Sequence, residues 1–317
     1  MADINLGVLA STTLDNYHKT LSDNIFKKHA LLDHLRQNDG TKMYDGGRKL
    51  VAPLMYAANS TVQSFSGVDE LDITYQDGID ASEWDWKYYN VSITFSLEEK
   101  SKNRGKSQII NLLKAKIKQA EMSLSEDMNT TLITGSDAKD FVCLDTIVGT
   151  TTTAGEISGT TYSWWQANVD STGETISFSD MRHIKNTCNL GNGGSNISLM
   201  FTTQAIYEKL FALLTTTYSY NLPTVGKETK RLVDASFNVL EFEGVPVAYD
   251  EAMPTGYMYM INKDNYKLGI LEGYDFKNID KGQPSNQHVD VSHIVFGGAA
   301  YTDRRKSLGK LSGKTSA

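Results

Sequence analysis

Cysteine is nearly missing from this chain: two among 317 residues, Cys143 and Cys188, with no C-x-x-C pair. A disulfide framework is thereby excluded, and a reducing compartment fits, in which both are expected to be small buried residues. No apolar run is long enough to span a bilayer, and Met1-Ala2-Asp3-Ile4-Asn5 has neither the basic nor the apolar region of a secretory signal. A soluble globular protein made in a cytoplasm, with no membrane partner, is the expectation. Basic charge is also in deficit. A net charge of -7 argues against a chain whose main task is to neutralise phosphate backbones. Arg304, Arg305, Lys306, Lys310 and Lys314 do cluster, but near the end of the chain, where they read as a basic tail.

Chemistry-bearing motifs are lacking too. The six histidines, His18, His29, His34, His183, His288 and His293, show no H-E-x-x-H spacing, and His29 and His34 fall on different faces of a helix. Gly105-Lys106-Ser107 opens a helix as a phosphate loop does, but Lys100 stands where the leading glycine belongs, and Glu98 and Glu99 would repel phosphates. Gly313-Lys314-Thr315 has its upstream Gly309 one residue too close and no helix after it. There is no G-x-S-x-G elbow, and neither cysteine has a nucleophile signature. Asp77-Gly78-Ile79-Asp80 does not reproduce a calcium loop. No catalytic residue, cofactor or metal site is assigned.

What is present lies between Lys49 and Thr134. Tyr89, Val91, Ile93, Phe95 and Leu97 alternate with Asn90, Ser92, Thr94 and Ser96, the period of a half-buried strand, and Leu50, Ala52, Leu54 and Tyr56 read as its hairpin partner. Between Lys49 and Lys87 no residue is basic, while Asp69, Glu70, Asp72, Asp77, Asp80, Glu83 and Asp85 are acidic. Like charges in one loop repel and extend it, and such a tip cannot build its own core. A solvated acidic loop is the plain alternative.

Next comes one long amphipathic helix. Ile109, Leu113, Ile117, Ala120, Leu124, Met128 and Leu132 keep one face apolar, over roughly 35 Å at ~1.5 Å per residue, and Gly135 supplies the stop. Its charges run against the helix dipole, with Arg104, Lys106, Lys114, Lys116 and Lys118 first and Glu121, Glu126 and Asp127 later. Partners explain that order better than local stability does; an ordinary solvated face is the other reading.

Elsewhere, Leu14, Tyr17, Leu21, Ile25, Leu32 and Leu35 form a helical stripe ending at Asn38-Asp39-Gly40, and the residues before Thr12 read as an arm. Trp164-Trp165, beside Tyr162, reads as a packing or interface anchor rather than a stacking site for bases, since no basic groove accompanies it. A helix is expected from Ser179-Asp180 to Leu190, broken by Gly191-Asn192-Gly193-Gly194. A strand over Ile197 to Phe201 and a helix capped by Thr202 or Thr203, running through Leu214, follow. Short strands come next at Val239 to Phe242, Val245 to Ala248, Tyr257 to Ile261 and Val289 to Phe296. Helices and strands mix without regular βαβ alternation, which favours α+β.

This order of parts, with Gly46-Gly47-Arg48-Lys49-Leu50-Val51-Ala52-Pro53-Leu54, Phe65-Ser66-Gly67, the stretch Ala154 to Trp165, and Phe242-Glu243-Gly244-Val245-Pro246-Val247 with Asp250, resembles the major capsid proteins of tailed bacteriophages, the Hong Kong 97 fold. The resemblance covers nearly the whole chain. It implies an N-terminal arm and helix (1–45), an extended loop (46–100), a peripheral domain (101–178) with a spine helix at 105–134, an axial domain (179–285), and a C-terminal peripheral strand with a basic tail (286–317). It also implies a coat protein without an active site, forming hexamers and pentamers of an icosahedral shell around double-stranded DNA in a virion assembled in the host cytoplasm.

Partners implied are copies of the chain, a separate scaffold protein, a portal and a candidate decoration protein, with weak non-specific contact to packaged DNA. Some relatives crosslink a lysine to an asparagine; Lys87 lies in the loop region but no partner matches. The expected contact between copies sets the acidic tip, Asp69 to Asp85, on the basic first half of a neighbour's spine helix, Arg104 to Lys118. The competing readings are the shell protein of a related encapsulating compartment, a hydrolase with an unrecognised site and, last, a nucleic-acid-binding protein.

Overall fold

The computed structural model describes residues 29–37, 40–96, 98–99, 112–190, 196–217, 240–282 and 288–316. The expected arm before Thr12, the stripe residues Leu14, Tyr17, Leu21 and Ile25, Leu97, the helix start with Arg104, Lys106 and Ile109, and the Gly191–Gly194 break lie outside them, as do the side chains of Leu113 and Lys114.

The spine helix, α2, runs Leu112–Thr134. Its predicted apolar face is the buried one: Ala120, Leu124, Met128 and Leu132 pack inward, with Ile117 partly covered. Glycine ends it for lack of room, because a Cβ on Gly135 would sit 2.5 Å from the Thr131 carbonyl oxygen, to which the Gly135 N–H itself donates at 2.9 Å. The first helix, α1 (Ala30–Gln37), has a histidine, not a capping residue, before it. A distant carboxylate substitutes: Asp250 Oδ2 accepts from the Ala30 N–H at 3.2 Å, while both its oxygens accept from Asn129 Nδ2 of α2 at 3.2 and 3.1 Å. One buried side chain thus joins the first helix, the spine and the sheet that Asp250 follows; burial raises its pKa.

Two sheets organise the rest. In the first, β14 (Val289–Thr302) is central. Along one edge it pairs antiparallel with β4 (Lys87–Ser96); along the other it pairs with β12 (Tyr266–Leu271) and then β13 (Lys277–Gly282), and β1 (Thr41–Tyr44) adds parallel to β12. The expected alternation of β4 is real, with Tyr89 and Ile93 buried toward α2, but its expected partner is not: Leu50 to Tyr56 does not pair with it. Residues β2 (Leu50–Met55) pair instead with β3 (Ile79–Trp84), a strand hidden in sequence among acidic residues. A strand with one apolar face fixes which side is buried, not which strand lies beside it.

The second sheet has the order β7-β15-β11-β8-β10-β9, with β7 Asn168–Asp170, β8 Leu199–Thr202, β9 Leu240–Phe242, β10 Val245–Tyr249, β11 Met258–Ile261 and β15 Gly309–Leu311. Alternation divides its side chains between two cores. Leu199, Phe201, Tyr259 and Ile261 face the core shared with α2, while Met200, Met258, Met260 and Leu311 face α4 (Phe178–Asn189) and α5 (Gln204–Thr217). Ser177 caps α4 by accepting from the Asp180 N–H. Smaller elements among the described residues include α3 (Leu144–Ile147) and a small hairpin of β5 (Thr153–Ala154) and β6 (Ile157–Ser158).

The C-terminal basic residues are not a tail. Residues 309–311 form an internal strand, Arg305 is 1% exposed, and the Lys314 side chain is buried against Asp170 and Asp180 at 3.2 and 3.0 Å. Nor does the boundary at 285/286 divide the structure, since β12 and β13 before it pair with β14 after it.

Candidate intersubunit arm

The β2–β3 ribbon and residues 56–78 at its far end form an arm. The ribbon's inner face is ordinary core: Leu50, Ala52 and Leu54 of β2 and Ser82 and Trp84 of β3 are buried, and Trp84 Nε1 donates to Ser82 Oγ at 3.0 Å. Its outer face is apolar as well, with Val51, Met55 and Ile79 exposed. Residues 56–78 contain no helix or strand and hold themselves together through short-range polar contacts. Asp69 accepts from the Ser66 N–H, Asp72 from the Thr74 N–H and hydroxyl, and Ser60 Oγ donates to Gln76 Oε1. Those contacts hold the Asp72 carboxyl below the usual range.

Apolar exposure is the arm's main property, and the count of acids in the sequence concealed it. Val62, Phe65, Val68, Leu71, Ile73 and Tyr75 all stand out from it, Val68 at 100% and Ile73 at 93%. An apolar set this dense on one extended segment has no use in an isolated soluble chain.

The acidic residues divide into two groups. Glu83 and Asp85 are already engaged by Lys49 of the same chain, at 3.0 and 4.0 Å, and Lys49 also bonds Glu156. Asp69, Glu70, Asp72, Asp77 and Asp80 lie farther along, and Asp80 Oδ1 accepts from the Ala81 N–H. On the spine, Lys116 is likewise engaged within its own chain, bonding Glu99 at 2.8 Å and the Thr94 carbonyl at 3.1 Å and lying over the Phe95 ring. Lys118 is exposed. Of the residues in the contact expected between copies, Glu83, Asp85 and Lys116 thus also have partners inside the chain.

Trp164 and Trp165 have separate roles. Trp165 is buried and donates from Nε1 to the Ala154 carbonyl at 2.8 Å. Trp164, half-buried, stacks on Tyr56 at the far end of the β2–β3 ribbon. Sequence reasoning assigns Arg305 to a basic tail, but its guanidinium is buried and donates to the carbonyls of Thr146, Ile147, Gly149 and Thr152, and burial lowers its pKa to about 10. Both cysteines are buried, and burial pushes the Cys188 thiol up to about 12. Among the described residues, no cluster of three His, Cys, Asp or Glu is placed to hold a metal, and no helix is long and apolar enough to cross a membrane.

No protein-family model matches this sequence, and no curated protein matches it. Solved structures do. One is the capsid asymmetric unit of cyanophage A-1(L), at a TM-score of 0.73 and 15% identity, over 95% of this chain and 97% of that one. The chain has the Hong Kong 97 capsid fold. The capsid of a native GTA particle matches at a TM-score of 0.67 and 10% identity, over 98% of this chain and all (100%) of that one. The capsid of cyanophage P-SCSP1u matches at 0.59 and 10%, over 96% and 94%. The α+β architecture expected from the order of parts is the observed one.

Proposed function

We propose that this chain is a shell-building coat subunit, that it assembles with copies of itself into hexamers and pentamers enclosing double-stranded DNA, and that its arm reaches onto a neighbouring copy. The observation that carries the reading is the arm's apolar surface, presented on a segment with no core of its own. Burying one such side chain contributes about 1.5–3 kcal/mol, so covering several at each contact favours the assembled state over the free chain. The capsid fold supports the same reading.

Within that contact, Asp69, Glu70, Asp72 and Asp77 are the acids placed to choose register against a basic surface such as Lys118, in the manner of a charged rim around an apolar centre. A closed shell repeats heterologous contacts, so each copy supplies an arm and a surface that receives one. The protein is then part of a virion, and scaffold, portal and decoration proteins are its further partners.

Size-exclusion chromatography followed by negative-stain microscopy tests this. Capsomers or closed particles are the expected outcome. A discrete small oligomer that forms no assembly across a range of salt would overturn the reading, and particles lacking DNA but holding protein cargo would point to an encapsulating compartment.

A further inference from the structure

We propose that the small hairpin Thr153–Ser158 is a clamp that sets the angle at which the arm leaves the body, with Glu156 as its positioning residue. The importance of that angle rests on the reading of the arm as an intersubunit element; the clamp itself is a property of the single chain.

The hairpin pairs Thr153 with Ser158 and Ala154 with Ile157, which leaves Gly155-Glu156 as a two-residue turn. Both turn residues have positive φ, 60° and 64°, the signature of the type I′ turn that Asn and Gly satisfy most readily. Gly155 is required for a second reason: a Cβ there would lie 2.7 Å from the Ser82 side chain and 3.0 Å from the Trp84 ring, so the arm strand β3 rests directly on the turn. Glutamate has no such reason. A side chain with no turn-forming virtue occupies a left-handed position, and strained positions of this kind persist where something else holds them. Here the holder is Lys49, the residue before β2, whose Nζ bonds the Glu156 carboxylate.

Both strands of the arm are thereby gripped at their root. The strand β3 is held through the backbone, where the Glu83 N–H donates to the Gly155 carbonyl at 3.1 Å, and β2 is held through the Lys49–Glu156 pair. The hairpin in turn is fixed to the body, because Trp165 Nε1 donates to the Ala154 carbonyl and Arg305 Nη1 to that of Thr152 at 3.1 Å. The sequence of contacts runs from body to hairpin to arm without a gap.

The variant E156G separates the clamp from the turn. Glycine relieves the positive φ, so a purely structural role predicts an unchanged or higher melting temperature and no other effect. A clamp predicts that arm motion increases even though the fold is no weaker. Hydrogen exchange on the full-length, unassembled chain reads this at the Glu83 amide and across residues 79–84. Exchange in E156G is expected to be about three- to fivefold faster than in wild type, the range that one partly exposed ion pair supports. The variant K49M, which leaves the turn untouched, should give at least a similar increase, and 1 M salt should speed wild type more than E156G, in which Lys49 keeps only its pairs with Glu83 and Asp85.

Wild-type exchange in E156G overturns the proposal, and so does an increase in K49M alone, which would assign the grip to Glu83 and Asp85. Loss of protection throughout β8 and β14 in E156G would also overturn it, by making the hairpin necessary for folding rather than for holding the arm. Since no assembly is needed for the measurement, failure here leaves the shell reading intact, and a chain that forms no shell leaves the clamp testable.

Discussion

The ring of Tyr56 stacks on Trp164 with centroids 5.0 Å apart and planes 20° from parallel. Tyr56 follows the first strand of the arm, its N–H donating to the Gly78 carbonyl and its hydroxyl to that of Asp77, so this one stack joins the far end of the β2–β3 ribbon to the body. A double-mutant cycle of Y56A and W164A, followed by denaturant unfolding, is expected to give a coupling of about 0.5–1.5 kcal/mol. Additive losses would mean that the rings merely lie near each other.

Arg305 is a buried cation that bonds carbonyls. Among its described partners are four backbone oxygens, at 2.6 to 3.1 Å, and the Thr152 hydroxyl. Replacing it by methionine keeps the volume and leaves those carbonyls unsatisfied, which costs about 1–3 kcal/mol for each one not rescued by water. R305M is therefore expected to lose at least about 3 kcal/mol of unfolding free energy. R305K recovers only part of that, because an ammonium lacks the planar fork. Urea titration by circular dichroism measures both.

A second buried cation makes a prediction about pH. Burial alone would lower the pKa of Lys314 and raise that of Asp170. The hydrogen bonds and ion pairs of Lys314 with Asp180 and Asp170, together with the donors of Thr172, prevail in each case, so Lys314 is raised and Asp170 lowered. For Asp170 the stabilisation is present above its unfolded value near 3.9 and is lost as pH falls through the folded one. For Lys314 it is present below about 10.4 and lost as pH rises through the folded value. K314M should flatten the melting temperature against pH on both flanks and lower it in between. An acid limb of unchanged steepness would refute the assignment.

The arm's apolar residues should matter to assembly and not to folding. Replacing Phe65, Val68 and Ile73 by serine is expected to change subunit stability by no more than about 0.5 kcal/mol, since all three are exposed, while abolishing particles in the microscope. Reversing Asp69, Glu70 and Asp72 to lysine should alter the salt dependence of assembly more than its extent. Assembly unchanged at every salt concentration would remove these acids from the contact.

The long helix was legible because its face repeats within a few residues, from Ile117 to Leu132. The arm was half legible. Its acids marked a segment without a core, yet the same acids obscured β3 and drew notice away from Val68 and Ile73. Long-range pairing was not legible at all: nothing local in Lys87–Ser96 says that Val289–Gly298 will lie beside it rather than Leu50–Met55. The errors at Arg305 and Lys314 share one cause. Charge is ordinarily a sign of surface, and only the ring of carbonyls around one and the two carboxylates around the other allow them inside.

The strand β15 lies between β7 and β11, although it follows both in sequence. During synthesis the two flanking strands are complete long before residues 309–311 exist, and until then each has a bare edge on the side where β15 will pair. A nascent or prematurely terminated chain thus carries open strand edges together with an apolar arm, the combination most prone to pairing with the wrong copy. Correct closure of the sheet waits for residues 309–311, so the edges of β7 and β11 are covered only once that strand has been made.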